Sequence, residues 1–165
     1  MKKILFLVLF LYFLVLIQTT FLNYFDLEGL TPNLLLIAVI FLNLLQEQKD
    51  FSGIFLSGIG GFFLDLFSGF HFGVFTITLF ILSFLIKKLL GVLRKENIVY
   101  FIPVFIFAFI FYDVFSFLFN SLFNLSFPQF LSFGGVKLLE ILYNLTLAIL
   151  VFFLIKICFQ KILEK

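Results

Sequence analysis

The chain has 165 residues, of which 64% are hydrophobic and only 12% charged. Globular domains are about 45–50% apolar and about 25% charged, so a water-soluble fold is excluded and the composition is that of an integral membrane protein. A net charge of +2 offers nucleic acid no electrostatic footing, and the single cysteine, Cys158, excludes an internal disulfide or a thiolate zinc site.

A spanning helix needs roughly 20 apolar residues, and six segments compete for that role: about 4–22, 32–45, 51–67, 72–90, 99–119 and 136–159. Together they form one polytopic membrane domain covering residues 1–165, with no soluble domain or internal repeat. The first segment follows Lys2 and Lys3 and ends in Gln18-Thr19-Thr20, with no small-x-small cleavage site. It therefore reads as a retained helix rather than a signal peptide. The second opens with Thr31 as the expected N-cap and Pro32 at the first helical position. Its rise of about 21 Å falls short of the roughly 30 Å hydrocarbon core. It either crosses a thinned bilayer or forms a re-entrant hairpin with the third.

The third segment carries Gly58-Ile59-Gly60-Gly61-Phe62-Phe63-Leu64-Asp65-Leu66-Phe67-Ser68-Gly69. On a helix Gly58, Gly61, Asp65 and Ser68 share one face, opposite Phe, Leu and Ile. Small residues let a second backbone approach closely in lipid, and a carboxylate there needs a partner or water. That face is expected to pack another helix or to bind a partner. Farther on, Asp113, Ser116 and Asn120 share a face of the fifth segment, as do Lys137, Glu140 and Asn144 on the sixth. The connection between them, about 120–135, carries no charge. Its Phe123, Phe127, Phe130 and Phe133 suit either a lipid-facing belt or a docking surface.

With six spans and both termini in the cytoplasm, Lys2, Lys3, Lys49, Lys87, Lys88, Arg94, Lys95, Lys156, Lys161 and Lys165 fall inside and only Lys137 outside, the asymmetry that cytoplasmic loops carry. This topology gathers Asp65, His71, Asp113, Lys137 and Glu140 in the outer half of the membrane. Three uses are open to them: a polar network locking helices together, a cavity for a ligand or partner, or catalysis. Two intramembrane aspartates suit a peptidase only if they share a proton. The context Leu64-Asp65-Leu66 fits neither the Gly-x-Gly-Asp nor the Asn-x-x-Asp-Arg pattern of intramembrane aspartyl peptidases. With no nucleophile–base pair, phosphate loop or metal-spaced cluster, no catalytic residue, metal or cofactor is expected.

Taken in order, Gln18-Thr19-Thr20, Thr31-Pro32-Asn33-Leu34-Leu35-Leu36 and the Gly58–Gly69 stretch followed by Phe72-Gly73 resemble the MreD family of bacterial rod shape-determining membrane proteins over nearly the full length. His71-Phe72 departs from the proline that the family usually has before that glycine. The resemblance implies a non-enzymatic component of the cell-elongation machinery in the bacterial cytoplasmic membrane. It implies a bitopic MreC-like partner and, through it, a RodA-type polymerase, its penicillin-binding partner and MreB, in support of peptidoglycan synthesis. It also implies a fold similar to the six-helix substrate-binding subunit of energy-coupling-factor transporters. The alternative reading, a vitamin or small-solute-binding subunit, follows from that likeness. Gly58, Gly61, Asp65, Ser68, Pro32 and Asn33 are the expected packing and partner-binding residues, with His71, Asp113, Lys137 and Glu140 as the outer polar cluster.

Overall fold

The computed structural model describes residues 2–22, 32–46, 50–69, 71–90, 98–123 and 134–163. Among the described residues all regular structure is helical: α1 (Lys2–Leu16), which runs on into one π-helical turn (Ile17–Phe21), α2 (Leu34–Leu45), α3 (Ser52–Phe67), α4 (Val74–Leu90), α5 (Ile98–Phe123) and α6 (Gly134–Leu163). The expected all-α architecture of six helices is what the chain adopts. α5 and α6 run several residues past the apolar stretches that announce them, because backbone bonding continues after hydropathy ends. By length and composition Ile4–Phe21 and Phe101–Phe119 suffice on their own to cross a membrane.

The helices alternate in direction. One end of the bundle gathers the π-turn, the starts of α2 and α4, and the end of α3; the opposite, basic end carries Lys87 and Lys88 in the last turn of α4. α2 is the interior helix, touching α1, α3, α4 and α5. Its Leu35, Leu36, Val39 and Ile40 are fully buried, which explains a sequence apolar on all sides. At 12 residues it rises about 18 Å, so both its ends lie among other helices. Phe41 of α2 stacks on Phe101 of α5 at 5.2 Å, and Phe101 meets Phe152 of α6 at 5.3 Å, clamping the basic end. α6 otherwise lies along α5. Phe6, Phe13, Phe55 and Leu122, all more than half exposed, give the bundle the apolar exterior that lipid solvates.

Candidate functional site

The glycine-rich motif builds the α3–α4 hairpin. A Cβ placed on Gly61 would lie 2.5 Å from the Phe75 carbonyl oxygen and 2.7 Å from Thr76 Cα. Only a glycine lets the start of α4 cross α3 there. One turn on, Asp65 reaches N–H groups in the first turn of α4 that have no partner within their own helix: Phe75 N donates to Oδ1 at 2.9 Å, Thr76 N to Oδ2 at 3.0 Å, and the Thr76 hydroxyl also donates to Oδ2. The carboxylate, 5% exposed, thus caps a neighbouring helix, where orphan N–H groups and the helix dipole favour an anion. Ser68 caps the end of α3, its N–H donating to the Leu64 carbonyl at 2.9 Å. Gly69 follows at φ 69° and Gly73 at φ 96°, the left-handed region that glycine occupies without strain. Gly58 packs more loosely, its missing Cβ position 3.4 Å from the Phe80 ring.

The start of α2 is closed by three helices. Here the structure corrects the expected cap: Asn33, not Thr31, is the N-cap, its Oδ1 accepting from Leu36 N at 3.0 Å. Pro32, buried, lies one residue before the cap rather than inside the first turn; Thr31 is outside the described residues. The second orphan donor, Leu35 N, goes to Gln18 Oε1 of the π-turn at 3.0 Å, and Gln18 Nε2 contacts Asn33 Oδ1 at 3.5 Å. The backbone N–H of Asn33 donates to Asn144 Oδ1 of α6 at 2.7 Å, while Asn144 Nδ2 donates back to the Glu140 carbonyl at 3.0 Å. Tyr112 of α5 completes the layer through a hydrogen bond with the Asn33 side chain and a stack on Phe75 at 5.8 Å. The π-turn itself is held by hydroxyls: Thr19 donates to the Val15 carbonyl at 2.8 Å and Thr20 to that of Leu16.

This polar layer draws in the packing residues named from sequence and only part of the outer cluster. Asp113 and Glu140 are partly buried and flank Tyr112. His71 is exposed in the α3–α4 turn. Lys137 lies in the first turn of α6, with its side chain outside the described residues, as is the aromatic stretch 124–133. Sequence reasoning overlooked Tyr112 and Thr76, since neither lone residue stands out in an apolar run. It also overlooked a second polar group at the basic end. There Asn43 Nδ2 donates to the Val39 carbonyl at 2.8 Å and lies 3.1 Å from both Ser57 Oγ and Ser83 Oγ. The Gly53–Ser57 spacing of small residues was the available signal.

Chemically, both Asp65 oxygens are engaged by α4 donors, an arrangement suited to a fixed structural anion. Among the described residues no three His, Cys, Asp or Glu side chains converge as metal ligands would. No curated protein and no solved structure matches the chain. The family model of the rod shape-determining protein MreD matches residues 1–162, and the motifs it spans are those that close the two helix starts. The chain therefore belongs to the MreD family of shape-determining membrane proteins.

Proposed function

We propose that the protein is a non-catalytic scaffold of the bacterial elongation complex, a six-span protein of the cytoplasmic membrane with both termini inside, that binds an MreC-like single-span partner and thereby supports peptidoglycan synthesis. The family match over residues 1–162 carries this reading, and the lysine and arginine distribution supports the orientation. The polar groups of the α2 and α4 starts bond to helix ends and to each other, which favours a packing role over the solute-binding alternative. Because Gly61 and Asp65 are taken up by α4, they serve the partner by keeping the hairpin in shape rather than by touching it. The partner surface then lies elsewhere on the bundle.

Affinity purification from bilayer-preserving nanodiscs tests this. An MreC-like protein is expected to co-purify, and depletion of the chain is expected to turn rod-shaped cells round. A purified chain that carries a stoichiometric metabolite and no MreC-like protein refutes the scaffold and favours the solute-binding subunit.

A further inference from the structure

The second polar group lies where α2, α3 and α4 meet near the basic end. Asn43, Ser57 and Ser83 are each fully buried. The two hydrogens on Asn43 Nδ2 face three acceptors, the Val39 carbonyl and the two serine hydroxyls. The Ser57 hydroxyl spends its own hydrogen on the Gly53 carbonyl at 2.7 Å. Hydrogens are therefore short. Among the described residues none donates a hydrogen bond to Asn43 Oδ1, although that atom is buried. Gly53 lies beside it, together with the Gln46 side chain: a Cβ on Gly53 would lie 2.9 Å from Asn43 Oδ1 and 2.4 Å from Gln46 Oε1. A Cα–H is a weak donor and does not satisfy an amide carbonyl in lipid.

The next helical turn toward the basic end is also polar. Gln46 is the residue just past the end of α2, and Lys87 follows Ser83 by one turn on α4, with Gly53 one turn before Ser57 on α3 leaving room between them. Lys87 is 4% exposed and interacts electrostatically with Asp50, which is itself exposed at the rim. Asn43 stands only two residues from the last residue of α2, Leu45. A continuous polar column thus leads from the rim inward to an acceptor that needs a hydrogen.

We propose that this column is a hydrated inlet, with an ordered water donating to Asn43 Oδ1 beneath Gly53. Water fits on two counts. It supplies the missing hydrogen to a buried polar group, as ordered waters do, and it is neutral. A metal cation is disfavoured by the neighbouring Lys87 ammonium, and an anion by the carbonyl oxygens. The inlet gives α2, α3 and α4 a solvated joint at one end, opposite the end where side-chain bonds lock α2 and α4.

Water-edited solid-state NMR on the full chain in lipid bilayers tests the proposal. Magnetisation from water is expected to reach the Asn43 side chain about as quickly as it reaches exposed Lys88. It is expected to reach the buried Leu79 and Leu56 much more slowly. Transfer at Asn43 no faster than at Leu79 overturns the inlet. Lys87→Met separates water from the ammonium as donor. Retained transfer at Asn43 in that variant supports the bound water. Loss of transfer together with a shifted Asn43 carbonyl resonance overturns it, because the ammonium was then the donor. Asn43→Leu, a swap of similar volume, is expected to abolish transfer to the Ser83 side chain; unchanged transfer there likewise refutes the site.

Discussion

Replacing Gly61 by alanine should cost far more than the same change at Gly58, although both lie on one face of α3. In a helix interior alanine is favoured over glycine by about 1 kcal/mol. At Gly58 the new methyl meets the Phe80 ring at 3.4 Å, an ordinary contact, so the change is neutral or stabilising by up to about 1 kcal/mol. At Gly61 the methyl meets backbone: the Phe75 carbonyl oxygen at 2.5 Å, Thr76 Cα at 2.7 Å and the Phe75 carbonyl carbon at 2.8 Å. Carbon contacts settle near 3.5–4.0 Å, so the start of α4 has to withdraw by roughly 1 Å. The bonds from Phe75 N and Thr76 N to Asp65, now 2.9 and 3.0 Å, then lengthen beyond useful range. Overpacking costs about 1–3 kcal/mol and loss of the cap about 1–2 kcal/mol more. Gly61→Ala is therefore expected to destabilise by about 3 kcal/mol. Unfolding in mixed micelles by a denaturing detergent, followed by circular dichroism, measures both variants. The double variant Gly61→Ala/Asp65→Ala should cost less than the sum of the single changes, because each breaks the same cap. Equal stabilities for the two glycine variants, or strict additivity with Asp65→Ala, would refute the close-crossing account.

Three further outcomes follow from the geometry. Asp65→Asn keeps an acceptor but gives up the anion at the α4 N-terminus, and should cost about 1–2 kcal/mol; Asp65→Ala, which strands one buried and one part-buried donor, should cost about 3 kcal/mol in the same unfolding assay. Asn144→Leu strands the Asn33 N–H and should cost about 1–3 kcal/mol, while Thr146→Leu on the exposed side of α6 stays within about 0.5 kcal/mol; a reversed order in the detergent titration would sink the capping scheme. The Ser52 backbone N–H, and then its hydroxyl, hold the Asp50 carboxyl below its ordinary value. A carboxyl lowered by folding contributes stability that is complete above the unfolded value, about pH 4, and fades as pH falls through the lowered one. NMR titration should place Asp50 below the free-aspartate midpoint, and Ser52→Ala should raise it only in part, since the backbone donor remains.

The helix count was legible because apolar runs punctuated by Gly, Pro and charge are strong signals, and the family motifs marked the right hairpin. What the motif residues do was not legible in the same way. A carboxylate at Asp65 reads as a lipid-depth charge in search of a counter-ion, whereas its partners are the N–H groups of Phe75 and Thr76, and backbone donors leave no trace in sequence. Thr31 and Asn33 are both N-cap residue types, with Asn the stronger; Asn33 is the cap, and its amide also meets Gln18 and Tyr112, from helices that sequence spacing cannot bring together. The short second segment looked incomplete as a span. Its length makes sense once α2 is seen as the interior helix, with its first donors supplied by neighbours. Asn43 was hidden by the reverse problem, a single polar residue in a run that otherwise reads as uniform.

The bond between Asn33 and Asn144 joins residues 111 positions apart. In a chain made from its N-terminus, α2 is in place long before α6 exists, so the Asn33 N–H must wait through the synthesis of three further helices. Gln18 and the Asn33 side chain can settle the Leu35 and Leu36 N–H groups at once, since both acceptors precede them in the chain. Completion of the α2 start thus reports the arrival of α6, and a chain stopped after α5 would carry an unfinished helix at its centre.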